Sequence, residues 1–471
     1  MKYFLLYLLC FTKILFSQED LLVKSEIDDL LKNSYFKNSY VAIQFKDLNS
    51  NKLIYSKNSN LLSRPASLLK LLTTTAALEY LGENFRFTTK LFYTGEIKNN
   101  ELSGDLYIRG GGDPELTTNS LSVFIDSLNA FGIESINGNI YGDVSLFDSL
   151  YWGKGWMWDD DEHTDFSYFS PLLINDAGVK VVVTPGSIGE NPDVEIYPKS
   201  NYYSFENLAV TTSEDTSDLE FKRSWLKNKN DLKLIGDISF QKRVDSLKIN
   251  IERPDLYFLH LFAEKLVESG IKFEGNYDTL KINSDSNPKQ IATIRTPIIK
   301  AINKSNKNSD NLSAEMLLRA ISIKNSGRPA TAEGGLMIVD TLIYKLGQNP
   351  KDYNIVDGSG LSHYNLLNAQ LLIDLLEYIY KNDLTNKYII PSLPISGISG
   401  TLKNRMYSND LKGNVRAKTG TLSAVSNLSG YLTTASGKEI AFVIMIQNFA
   451  GKQRPYRWFQ DKICKIVING Y

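Results

Sequence analysis

Two short polar segments, Ser67-Leu-Leu-Lys70 and Ser309-Asp-Asn311, stand about 240 residues apart, a gap as long as a large domain. A third, Lys418-Thr-Gly420, follows near the C-terminus. If the three serve one site, both ends of the chain must build one body while the long stretch between them forms another. A length of 471 residues allows this, because it exceeds what one hydrophobic core usually supports.

The local patterns agree with that division. Residues 40–56 read as two strands joined by Asn49-Ser50-Asn51. Arg64-Pro65-Ala66 leads into an apolar helix predicted over Ser67–Leu81 and stopped by Gly82. Ser67 then sits in the first turn, with Lys70 one turn on and on the same face. From Phe85 the texture changes to short alternating segments, such as Thr89–Ile97 and Leu102–Ile108, joined through Asn99-Asn100. Helices are expected at Ser120–Phe131 and Leu256–Ser269. Short strands are expected at Gly138–Val144 and between Gly178 and Ile251. After Thr296 the mixed pattern returns, with helices at Leu312–Ile323, Gly334–Leu346, Ala369–Tyr380 and Trp458–Val467. Strands are expected at Val415–Ala417, Val425–Leu432 and Ile440–Gln447. The fold class is α/β (α+β), with a β-rich insertion of roughly 200 residues.

A serine hydroxyl is a weak nucleophile at neutral pH unless a base lies within hydrogen-bond reach. Lys70, at i+3 from Ser67, can be that base if burial and a second cation such as Lys418 favour its neutral form. The backbone N–H of Ser67, at a helix start, can face a developing oxyanion. Ser309 can relay a proton to a leaving amine, and Asn311 can hold a carbonyl or orient Lys70. Lys418 and Thr419 on an edge strand suit a carboxylate, Gly420 permits close backbone approach, and the N–H of Thr421 can complete an oxyanion hole. Each segment alone also has an ordinary explanation. Ser-x-x-Lys recurs at Ser34, Ser224, Ser239 and Ser286, Ser309 or Asp310 can cap a helix, and Lys-Thr-Gly can be a turn with a surface lysine. The Ser67 copy of Ser-x-x-Lys alone opens a strongly apolar helix, and Lys-Thr-Gly occurs once.

Taken in order, the three segments resemble those of the serine DD-peptidases of the penicillin-binding-protein superfamily. Within it, the chain resembles the class C, low-molecular-mass D-alanyl-D-alanine carboxypeptidases and endopeptidases. The likeness extends to Gly104-Asp-Leu-Tyr-Ile-Arg-Gly-Gly-Gly-Asp-Pro114, Gly138-Asn-Ile-Tyr-Gly-Asp143, Asp357-Gly-Ser-Gly-Leu-Ser362, Leu393-Pro-Ile-Ser-Gly397 and Gly400-Thr-Leu402. It implies a transpeptidase-like domain, an antiparallel sheet flanked by helices, formed by residues 18–84 and 296–471. The insertion would divide into a second domain, 85–186 with 252–295, and a third, 187–251. Ser67 would be acylated by a peptidoglycan stem peptide or by a β-lactam, with Lys70 as base and Ser309 and Asn311 completing the centre. Lys418 and Thr419 would bind the terminal carboxylate, with Gly420 and Thr421 beside them. Water would release the product, so no metal or organic cofactor is required. Family members can carry an aspartate on the insertion that faces a diaminopimelate amino group. Asp160 is the nearest match, in a stretch crowded by Asp159, Asp161, Glu162 and Asp165 that also reads as a solvated acidic loop.

Other functions fit less of the chain. A class A β-lactamase spaces its first two motifs closely and places a glutamate after the second, whereas no Glu-x-x-Leu-Asn follows Asn311. A silent peptidoglycan binder would be expected to lack a catalytic side chain, and an esterase would leave the insertion unexplained. Nucleic acid is disfavoured, because 52 basic and 53 acidic residues balance to a net charge of −1. Lys2 and the apolar run Tyr3–Phe11 read as an export leader, residues 1–17, which implies a periplasmic site of action. Its removal leaves Cys464 as the one cysteine, so no intramolecular disulfide is expected. His163, His260 and His363 are scattered and suit structural roles.

Overall fold

The computed structural model describes residues 18–160, 165–215, 217–227, 229–242 and 244–471. The leader expected at 1–17, and Asp161, Glu162 and His163, lie outside the described residues. The chain divides into two compact units. The first comprises the residues up to Tyr80, Ile302–Asp310 and Leu336–Tyr471, and the second Leu81–Ala301 and Asn311–Gly335.

The first unit is built on a five-stranded antiparallel sheet. Its strands are β1 (Tyr40–Asp47), β2 (Leu53–Lys57), β3 (Val415–Leu422), β4 (Val425–Thr433) and β5 (Glu439–Gln447), in the order β2-β1-β5-β4-β3. β1 pairs with β5 along its whole length, from Tyr40 opposite Gln447 to Asp47 opposite Ile440. β5 is buried on both faces after Glu439, which is why it reads as a continuous apolar run instead of an alternating one. One face packs on the helices Gln18–Leu30 and Arg454–Gly470 through Val23, Ile27, Phe459, Ile463 and the buried Cys464. The other meets the helix Ala369–Lys381, where Tyr431 donates to the Leu376 carbonyl and Gln44 to Gln370 Oε1.

The second unit is β-rich. Its five-stranded sheet runs Tyr277–Thr279, Ile140–Asp143, Leu106–Arg109, Arg86–Tyr93 and Lys289–Pro297. Beside it lie a four-stranded sheet and three smaller ones. The helices Ser122–Ala130 and Pro254–Glu268 fill its core with Phe124, Leu128, Tyr257, Phe258 and Phe262. In the helix Asn311–Ser326, the fully buried Glu315 and Arg319 pair at 3.3 Å, and the Arg319 guanidinium lies 4.1 Å from the Phe169 ring.

Three helices were not anticipated: Gln18–Leu30, Ile298–Lys307 and Asp383–Ser392. Ile298–Lys307 buries Ile298, Ala301 and Ile302 but also Ser305 and Asn306, so two of these five buried positions are polar. Asp383–Ser392 contains Pro391, a residue that argues against a helix, and is started instead by the Asn382 side chain accepting from Thr385 N–H.

Candidate active site

Ser67 does not begin the α-helix, as the pattern suggested. It sits in a 3-10 turn, Ala66–Leu68, that feeds the helix Leu69–Leu81. The turn is set up by Ala66, whose φ of 48° lies in the left-handed region, a conformation that costs a non-glycine residue about 1–3 kcal/mol. Side chains from the sheet hold it there. Asn427 Nδ2 donates to the carbonyls of Arg64 and Pro65, both at 2.9 Å, and Gln447 Nε2 donates to Arg64 O at 2.8 Å. Gly420 and Gly360 make room for the same segment. A Cβ on Gly420 would lie 2.8 Å from Pro65 O, and one on Gly360 would lie 1.9 Å from Ala66 O. The space beside Gly420 therefore accommodates the chain's own backbone.

Lys70 Nζ lies 2.8 Å from Ser67 Oγ and donates to the Ser359 carbonyl at 2.6 Å. Lys70 is fully buried while Ser67 is partly exposed, so the hydroxyl is reachable and the amine behind it is dry. Ser359 belongs to a loop organised by the buried Asp357 carboxylate, which accepts from Gly360 N–H, Ser362 N–H and Asn365 Nδ2 at 2.7–2.8 Å. Thr73 Oγ1 ties the loop to the helix through Gly358 O at 2.7 Å. Asp357 and Ser359 carried no site role in the sequence reading. Their signal was the glycine spacing of Asp357-Gly-Ser-Gly, which marks a tight loop.

A second serine–lysine contact lies in the same unit. Lys418 Nζ donates to Ser309 Oγ at 2.7 Å and to Thr419 O at 2.9 Å. Ser309 is held at φ 62°, again left-handed, where the chain leaves the helix Ile298–Lys307. The Lys-Thr-Gly segment lies inside β3, beyond the expected end at Ala417, and β3 is an edge strand. Thr421 is exposed on that edge, and Thr419 Oγ1 donates to Thr401 Oγ1 at 2.8 Å. Thr401 is a further contact that carried no role in the sequence.

Burial and, after it, the charge of Lys70 hold the Lys418 ammonium well below the ordinary lysine range. In the unfolded chain this group keeps its proton up to about pH 10.4. Between the lowered native value and that pH the unfolded state binds more protons, so stability rises with pH. A Lys418→Met protein is expected to lose this component. Its stability, followed by calorimetry on the alkaline side up to about pH 10.4, should rise less steeply than the parent's, by at most about 1.4 kcal/mol per pH unit.

The first unit thus brings together Ser67, Lys70, Ser309, Lys418, Thr419, Gly420 and Thr421. Asn311 and Asp160 belong to the second unit. Asn311 Nδ2 donates to Asp165 O at 2.8 Å. Asp160 ends a 3-10 turn, Trp158–Asp160, and accepts from Met157 N–H at 3.0 Å. Two histidines have structural partners. His260 bridges Tyr277 and Glu264, and His363 contacts Arg64 Nη1.

A partly exposed serine against a buried lysine, with a second serine held by a lysine of an edge strand, is the equipment of an acyl-transferring serine enzyme. The chain belongs to the D-Ala-D-Ala carboxypeptidase 3 (S13) family, whose model matches residues 23–462. It is similar to the D-alanyl-D-alanine carboxypeptidase DacB of Haemophilus influenzae, 29% identical over 422 residues that cover 88% of this chain and 86% of that one. The crystal structure of penicillin-binding protein 4 from the same organism superposes with a TM-score of 0.80 at 28% identity, covering 93% of this chain and 98% of that one. A structure of that protein complexed with a β-lactam gives a TM-score of 0.76 at 26% identity, over 94% and 99% of the two chains.

Proposed function

We propose that the chain is a serine D-Ala-D-Ala carboxypeptidase of peptidoglycan that works through an acyl-enzyme on Ser67. The observation that carries this reading is the 2.8 Å contact between Ser67 Oγ and the buried Lys70 Nζ. Ser67 attacks the carbonyl of the penultimate D-alanine, and its proton passes to Lys70. Ser309, held by Lys418, relays a proton to the leaving D-alanine amine. Lys418 and Thr419 attract the terminal carboxylate, and the Ser67 and Thr421 N–H groups stabilise the oxyanion. One such donor is typically worth about 10²–10³ in rate. Water then cleaves the ester. Asn311 is assigned an amide contact to the substrate and Asp160 a contact to the amino group of the third stem residue.

β-Lactams acylate the same serine in this reading, with support from the β-lactam complex of the H. influenzae relative. The basic and apolar N-terminus supports export to the periplasm, where the polymer lies. Among the described residues no helix is long and apolar enough to cross a membrane.

The test is direct. Purified protein is incubated with a pentapeptide ending in D-Ala-D-Ala and, separately, with a cross-linked muropeptide dimer. Free D-alanine from the first substrate, and a penicillin adduct mapped by mass to Ser67, are the expected results. Cleavage of the dimer alone would reassign the enzyme as an endopeptidase. No turnover and no adduct from folded protein would reject the peptidase reading.

A further inference from the structure

The second unit carries a cleft of about 260 Å³ on the outer side of its five-stranded sheet. The strand Arg86–Tyr93 alternates strictly, burying Phe87, Thr89, Leu91 and Tyr93 and turning Arg86, Thr88 and Lys90 outward. Register then places Arg109 of the next strand directly opposite Lys90. Like charges directly opposite in an antiparallel pair are destabilising. Asp143 relieves one of them, accepting from Arg109 Nε at 3.0 Å. Lys324 and Arg328 add two more cations to the lining. The cleft is thus lined by five basic side chains and no carboxylate, and among the described residues neither Lys90 nor Arg328 forms an ion pair. Gly110 and Gly111 pack their backbone closely on Pro171 and Thr88, where a Cβ would lie 2.4 Å and 2.1 Å from the carbonyl oxygens, and Leu146, Ala320 and Ile323 complete the lining.

We propose that this cleft binds a phosphate-class polyanion, a diphosphate or phosphomonoester, through Lys90, Arg109 and Arg328. Guanidinium forks match phosphate oxygens with paired N–H donors. After Asp143 has offset one cation, the remaining charge exceeds what a single carboxylate neutralises. A multiply charged phosphate also removes the repulsion built into the Lys90–Arg109 pair. Lining and register alone carry this assignment, which is independent of the peptidase reading.

Inorganic pyrophosphate titrated calorimetrically into the full-length protein tests it. Saturable binding is expected, weaker at high salt and reduced about tenfold or more in Lys90→Gln and in Arg328→Gln. D-alanine release should stay at the parent value and the thermal midpoint should not fall, since Lys90→Gln also relieves the repulsion from Arg109. Arg109 is left in place, because its loss would strand the buried Asp143. Flotation with phosphatidylcholine vesicles containing phosphatidic acid separates the sources. Co-flotation lost in the same variants supports a lipid headgroup, and pyrophosphate binding without flotation supports a soluble phosphate. Absence of saturable binding, equal affinity in the variants, or tricarballylate binding as tightly as pyrophosphate would each overturn the proposal.

Discussion

A Ser67→Ala protein takes up no covalent penicillin and releases D-alanine about 10⁴–10⁶-fold more slowly than the parent, the scale of loss when a serine nucleophile is removed. Its fold survives. Ser67 is partly exposed, and removing its hydroxyl costs Lys70 one partner while the Ser359 carbonyl, at 2.6 Å, remains. Nor does the substitution touch the Asn427 and Gln447 contacts that hold the preceding backbone. Gel fluorescence and intact mass read the adduct, and thermal unfolding reads the fold. An adduct that persists in the alanine variant would place the nucleophile elsewhere and remove the basis of the mechanism.

The second large effect falls on the base. Lys70→Ala keeps the nucleophile but slows acylation by about 10²–10⁴, the usual worth of a positioned proton acceptor. Lys70→Arg should not rescue it, because a guanidinium does not give up its proton in proteins. The two variants separate proton transfer from mere positive charge. Whenever Lys70 carries a proton it also presses on Lys418, whose ammonium is held low by burial first and by Lys70 second. In Lys70→Ala the Lys418 side chain should therefore titrate at higher pH, which carbon-detected NMR of labelled lysine reads directly. Parent acylation rates in Lys70→Ala, measured by stopped flow, would remove Lys70 from the mechanism.

How far the sequence reached depended on how locally each feature is encoded. The hairpin across Asn49-Ser50-Asn51 and the turn at Asn99-Asn100 were legible because turn chemistry is written in adjacent residues. Ser67 and Lys70 were legible because one turn of helix joins them. The hold on the Ser67 turn was not. Asn427 and Gln447 look like ordinary polar residues at the end of apolar strands, and their partners lie 363 and 383 residues away. Gly420 showed the opposite limit. Its need for space was readable, but the group using that space, Pro65 O, appears only once β3 lies beside the turn. The extent of β3 was underestimated because its second half, Lys418–Leu422, is polar, as an edge strand tolerates.

The pairing of β1 with β5 joins residues 40–47 to residues 440–447. A growing chain holds its reactive serine from residue 67 onward, yet the side chains that fix the Ser67 turn are made last. Closing such long loops is slow and costs entropy before any contact rewards it. Synthesis therefore sets a clock: until the final strands arrive, the unfinished chain carries a serine no more reactive than any other. Truncation anywhere before β5 yields an inert polypeptide, and the order of residues along the chain itself keeps a wall-cutting activity silent until the molecule is whole.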